Sequence, residues 1–234
     1  MSDSRSFFTP VFRARLRHWF ARNPVSVVIL VICIGIEAVL EGADAGLWGA
    51  PGWRDAVYTY GAFWGGLLRG ETPIYPLQPF VMFLSYGLLH GGFWHVALNM
   101  LTLVSLGAPV AARLGQGRYL LLYVLTNIGG GAGFAIFSFT VQPMLGASGA
   151  LFGLAGAILA WAWADRRRAG QSVGQAARAL TGPMVYLIGF NVVFFYATGG
   201  ALAWGAHLGG FLTGWGLGLA LDPPRYPRFA KTRS

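Results

Sequence analysis

Uncharged stretches of about twenty residues recur along the chain, each long enough to cross a hydrocarbon core as a helix. Six are predicted: about Pro24 to Ala43, Gly91 to Ala112, Tyr119 to Val141, Leu145 to Ala164, Ala179 to Ala197 and Ala203 to Leu221. No internal repeat, coiled-coil heptad or low-complexity tract breaks the pattern. The expected fold is an all-α polytopic membrane protein of six transmembrane helices, with a basic tail at 1–23, a membrane domain at 24–221 and a second basic tail at 222–234.

Two places depart from the plain alternation of span and loop. Glu37 and Glu41 interrupt the first span one helical turn apart near its end, where anchoring of the next loop or contact with interfacial water is expected rather than catalysis. A rival reading makes this segment a cleaved signal peptide, because a basic leader, an apolar run and Ala43-Asp44-Ala45 imitate its three regions. The long leader before Pro24 and the two glutamates argue against it. The loop from Asp44 to His90 holds Trp48, Trp53, Tyr58, Tyr60, Phe63, Trp64, Tyr75 and Phe80, so part of it is expected to lie at the headgroup level.

Composition excludes a single soluble globule, since 55% of residues are hydrophobic and 11% charged. The 35 glycines suit helices packed closely in lipid. A single cysteine, Cys33, rules out an internal disulfide framework and a cysteine metal cluster, and is read as packing. The net charge of +9 is not a nucleic-acid footprint, because the basic residues follow topology. With a cytoplasmic amino terminus, the inner face collects Arg5, Arg13, Arg15, Arg17, Arg22, Arg113, Arg118, Arg166, Arg167, Arg168, Arg178, Arg225, Arg228, Lys231 and Arg233, leaving only Arg54 and Arg69 outside. That asymmetry puts both termini in the cytoplasm and the chain in the cell (inner) membrane.

Orientation then sets depth. Spans two, four and six all begin at the outer face, and their outer ends carry His95 and Asn99, Ser148, and His207. At about 1.5 Å of rise per residue, these groups sit within roughly 10 Å of the outer boundary. Polar side chains in a span are costly and mark function by default. His95 and Asn99 share one helix face. Ser148 stands near a helix amino terminus, whose free amides suit a developing oxyanion, with Gly146 and Gly149 beside it to keep bulk from an attacked carbonyl. His207 is the only histidine in the last four spans and so the candidate base for Ser148. Asp165 and Asp222 lie 17 residues beyond Ser148 and 15 beyond His207, more than about 20 Å toward the other face, so a dyad is expected. Glu37, Glu41, Asp44, Asp55 and Glu71 stay open as orienting groups.

These residues resemble the rhomboid intramembrane serine proteases. The resemblance rests on His90-Gly91-Gly92-Phe93-Trp94-His95-Val96-Ala97-Leu98-Asn99-Met100, Gly146-Ala147-Ser148-Gly149, and Ala206-His207-Leu208-Gly209-Gly210-Phe211-Leu212-Thr213-Gly214, in family order, and covers about Gln78 to Leu221. It implies Ser148 as nucleophile, His207 as general base and then acid, and an oxyanion hole of His95, Asn99 and the Ser148 amide. It also implies a structural role for His90, and single-span membrane proteins as substrates, cut at a small residue near helix-loosening ones. Two positions depart from the family: Val81 and Met82 stand where many members have Trp-Arg, and Trp53-Arg54, far upstream, is not read as that pair. Phe152 replaces a frequent tyrosine and is expected to keep a ring against His207. Gly210 and Gly214 are read as letting the last span approach the fourth. Substrate is expected to pass the fifth span, with Phe190, Phe194, Phe195 and Tyr196, under a flexible Thr198-Gly199-Gly200 loop.

Two other classes compete with this reading. A catalytically silent rhomboid-like protein would bind membrane clients for quality control, but such relatives typically lack the serine or the histidine. A zinc enzyme would use His90, His95 and His207, but there is no His-Glu-x-x-His and no acid within these spans to orient ligands. The expected partners are transmembrane substrates and membrane lipids, with no cofactor, no metal and no nucleic acid. The oligomeric state is left open.

Overall fold

The computed structural model describes residues 10–197, 199 and 202–223. Arg5, Arg225, Arg228, Lys231 and Arg233 of the expected tails, and Thr198 and Gly200 of the expected flexible loop, lie outside the described residues. The helices are α1 (Pro10–Arg22), α2 (Pro24–Asp44), α3 (Trp53–Gly61), α4 (Gln78–Ser85), α5 (Phe93–Leu114), α6 (Gln116–Phe137), α7 (Ser148–Arg168), α8 (Val173–Ala197) and α9 (Trp204–Leu221). By length and composition α2, α5, α6, α7 and α8 qualify as membrane crossings, and the chain is an all-helical multi-pass membrane protein. The sixth expected crossing is the 18-residue α9, whose glycines and His207 dilute its apolar content.

Several helix boundaries differ from the uncharged runs, three of them for a clear local reason. The eighth helix starts six residues before Ala179 because Ser172 and Gln175 form a reciprocal cap, Ser172 N–H donating to Gln175 Oε1 at 2.8 Å and Gln175 N–H to Ser172 Oγ at 3.2 Å. The sixth ends at Phe137 rather than Val141, where Ser138 turns extended. The seventh starts at Ser148 rather than Leu145, because Gly146 takes a φ of 117°, which no helix allows.

The packing centre is α9, held between α6 and α7 by glycines on two of its sides. On one side Gly205 and Gly209 meet Gly133 and Gly129 of α6; on the other Gly210, Gly214 and Gly218 meet Gly149, Gly153 and Ala157 of α7. A Cβ added at Gly210 or Gly214 would strike the carbonyl of Gly149 or Gly153. Backbone contact of this kind supplies dispersion where lipid offers no hydrophobic drive. By contrast α8 is loosely held, with 6% of its apolar window buried within the protein against 67% for α7.

Opposite ends of the bundle are closed by different chemistry. At one end Arg113 donates Nε to Asp222 at 2.7 Å and Nη1 to Asp165 at 2.9 Å, with Trp161 under its guanidinium, so α5, α7 and the end of α9 are clamped together. The Arg113 hydrogen bonds hold the Asp222 carboxyl below its ordinary range. At the other end the loop between α2 and α5 folds over the helices. Phe63 and Met144 exchange backbone hydrogen bonds at 2.9 and 3.0 Å, and Tyr86 O accepts from Gly146 N–H at 2.9 Å. The loop thereby holds the chain that leads into α7.

Candidate active site

Ser148 is the first residue of α7, so its amide has no intrahelical acceptor by position. The left-handed turn at Gly146, tied to Tyr86, delivers it there. Across the close contact of Gly149 with Gly210, His207 in the first turn of α9 comes within reach: Ser148 Oγ and His207 Nε2 are 2.9 Å apart. Phe152, one turn along α7, stacks on the imidazole at 4.2 Å between ring centres and 5° between planes. His207 is 3% exposed, whereas Ser148 is half-buried.

His95 and Asn99 come to Ser148 from α5. Gly91 N–H donates to His95 Nδ1 at 3.1 Å, which places the proton of a neutral ring on Nε2. That Nε2 faces Gly146, where an added Cβ would lie 2.8 Å from it. Gly146 is thus required twice, for its φ and for room. Gly149 is closely packed as well: a Cβ there would meet Tyr86 Oη at 3.0 Å and Gly130 Cα at 3.4 Å. Asn99 Nδ2 donates one hydrogen to the His95 carbonyl at 2.9 Å and retains a second. Asn99 and Ser148 border one hollow of about 140 Å³ between α5, α7 and α8, together with Leu98, Phe152, Tyr186 and Phe190.

His90 supports this arrangement from behind. Fully buried, it accepts from Ala147 N–H through Nε2 at 3.5 Å and sets its ring edge to His95 at 5.1 Å. Burial, with the neighbouring His95, pushes its pKa down to about 3, so the ring stays neutral. Its carbonyl accepts from Tyr58 OH at 2.6 Å and from Arg54 Nη1 at 3.4 Å.

Two residues that the sequence reading left unused prove to touch this machinery. Asn191 of α8 sets Oδ1 2.7 Å from His207 Nδ1; a search confined to carboxylates passed over it. Arg54 is the second. Its Nη1 lies 2.8 Å from Glu37 Oε1 and its Nε 2.5 Å from Asp44 Oδ2. Glu37 and Glu41 also accept from Gly92 and Phe93 N–H at 3.0 and 3.1 Å, so the two acids cap the amino terminus of α5 just before His95. Arg54 thereby ties the end of α2 to the His90 carbonyl and the start of α5. The signal was legible: Arg54 is one of two basic residues in the expected outer loops. Asp165 and Asp222 sit at the far end with Arg113, and Glu37, Glu41 and Asp44 are engaged around Arg54. Among the described residues no group of three or more His, Cys, Asp or Glu is arranged to hold a metal ion.

A family model described as the Rhomboid domain matches residues 78–223, more than half of the chain. The chain is 35% identical over 143 residues to "Rhomboid protease GluP" of Bacillus subtilis (strain 168), covering 61% of this chain and 26% of that protein. It is 31% identical over 139 residues to "RHOMBOID-like protein 5" of Arabidopsis thaliana, covering 57% and 41%. Against "Rhomboid-type serine protease 2" of Emericella nidulans it is 29% identical over 136 residues, covering 57% and 25%. The matched stretch thus spans between a quarter and two fifths of these relatives.

Proposed function

This chain belongs to the rhomboid family, and from that premise we propose that it is an intramembrane serine endopeptidase with Ser148 as nucleophile and His207 as general base. The observation that carries the reading is the 2.9 Å approach of Ser148 Oγ to His207 Nε2 beside a hollow bordered by Ser148 and Asn99. Ser148 Oγ attacks a peptide carbonyl as His207 Nε2 takes its proton. The oxyanion is met by His95 Nε2–H, the free Asn99 N–H and the Ser148 amide. His207 then protonates the leaving amine, and water releases the acyl group from Ser148 along the reverse path. Phe152 holds the imidazole plane, His90 supports the Ala147 amide, and Gly146, Gly210 and Gly214 permit the approaches that bring the groups together.

Substrates on this reading are single-span membrane proteins, unwound locally near a small residue because a helix hides its carbonyls. The hollow is walled by α5, α7 and α8, and α8 is the least buried of the three, so the substrate passes α8. Residues 24–221 form the membrane domain of a cell-membrane protein whose basic ends, 1–23 and 222–234, lie in the cytoplasm, with the site near the outer surface.

The test is cleavage of a panel of labelled single-span substrates by purified protein in detergent, beside Ser148→Ala. Loss of cleavage by roughly three orders of magnitude or more in the variant, with loss of fluorophosphonate labelling, is the expected result. Cleavage that survives the substitution would remove Ser148 from the chemistry and leave a membrane client-binding role to be examined.

A further inference from the structure

The amide of Asn191 is committed at both ends. Nδ2 donates to the Leu187 carbonyl one turn back at 2.9 Å, which leaves Oδ1 aimed at His207 Nδ1 at 2.7 Å. Turning the amide over would set oxygen against the Leu187 carbonyl, so this orientation is the one that satisfies both contacts. An amide oxygen only accepts. The ring proton of neutral His207 therefore sits on Nδ1, and the Nε2 lone pair faces Ser148 Oγ.

We propose that Asn191 is a positioning residue for the Ser148–His207 pair, holding His207 in the tautomer able to take the serine proton, from a helix that is itself loosely seated. The proposal rests on the reading of Ser148 and His207 given above. A neutral acceptor suits the surroundings: Asn191 lies on the wall of an apolar cleft of about 460 Å³ that also includes Met184, Ile188, Val192, Trp204 and Phe211. Around the imidazole stand Ser148 and Phe152 from α7, Asn191 from α8 and, close enough to interact electrostatically, His95 from α5. A second consequence follows from where Asn191 stands. With so little of α8 buried, a shift of about 1 Å carries the pair beyond hydrogen-bonding range, so seating of α8 and the tautomer of His207 change together.

Wild type, Asn191→Leu and Asn191→Asp are compared in detergent by steady-state cleavage of one labelled single-span peptide, by the rate of fluorophosphonate labelling and by nitrogen NMR of histidine-labelled protein. Wild type is expected to show His207 with its proton on Nδ1. Asn191→Leu is expected to lower kcat and the labelling rate about 10- to 100-fold with KM within about twofold, and to add the Nε2–H form to the spectrum. Asn191→Asp is expected to restore kcat to within a few fold and to move the acidic limb of the pH profile up by about 1–3 units, because a carboxylate beside the ring favours imidazolium. A leucine variant with wild-type kcat and pH profile, or wild type carrying its proton on Nε2, overturns the proposal. If the leucine variant does not fold, an unmoved acidic limb in the aspartate variant does the same. Should wild type neither cleave nor label, the protease reading fails, while the NMR tautomer still decides the role of Asn191.

Discussion

Two histidines with the same side chain receive opposite tasks from what touches Nδ1. At His95 a backbone N–H occupies Nδ1, so Nε2 is a donor; at His207 an amide oxygen stands there, so Nε2 is an acceptor. Replacing His95 by Ala is expected to lower kcat by about 10²–10³-fold with little change in KM, the usual loss for one oxyanion donor, as read by peptide cleavage. A KM effect alone would assign His95 to substrate binding instead. His90, excluded from water, gives a pH dependence. Its pKa falls from 6.5 to about 3 on folding, so the unfolded chain takes a proton that the folded one refuses. Its contribution is full above pH 6.5 and is lost progressively as pH falls toward 3. Melting between about pH 7.5 and 5 is expected to fall less steeply for His90→Asn than for wild type, although the variant starts lower; parallel curves would contradict this.

At the scale of elements, glycines decide how closely helices approach and charged caps decide where they begin. Gly214→Ala forces a methyl group against the Gly153 carbonyl and is expected to cost about 1–3 kcal/mol in detergent melts. Gly216 lies on the open side of the same helix with nothing within 4 Å of its added Cβ, and Gly216→Ala is expected to be neutral or to stabilise by about 0.5–1 kcal/mol. Equal losses at the two positions would show that helix propensity, not close approach, sets the effect. The start of α5 depends on Glu37 and Glu41 reaching the Gly92 and Phe93 amides from α2 while Arg54 binds the acids. This is why two carboxylates interrupt an otherwise apolar span: an amino terminus with free N–H groups faces them.

For the molecule as a whole, the contrast between a clamped core and a loose α8 sets the expected path of substrate. Cysteines introduced at Leu98 and Tyr186, on the α5 and α8 walls of the hollow, are to be joined by a short bifunctional thiol reagent, Cys33 being buried. Joined protein is expected to lose cleavage of single-span substrates yet keep fluorophosphonate labelling of Ser148; undiminished cleavage would rule out passage beside α8. Much of this architecture was legible along the chain, because lipid forces long uncharged runs and because rise per residue converts position into depth. The level shared by His95, Asn99, Ser148 and His207, and the remoteness of Asp165 and Asp222, follow from that arithmetic alone. Rotation about each helix axis does not. Whether Asn191 faces lipid or His207, whether Arg54 reaches Glu37, and how closely Gly149 meets Gly210 depend on how far glycines let neighbouring backbones close. Those separations are decided between segments distant in sequence, and so only the folded bundle determined them.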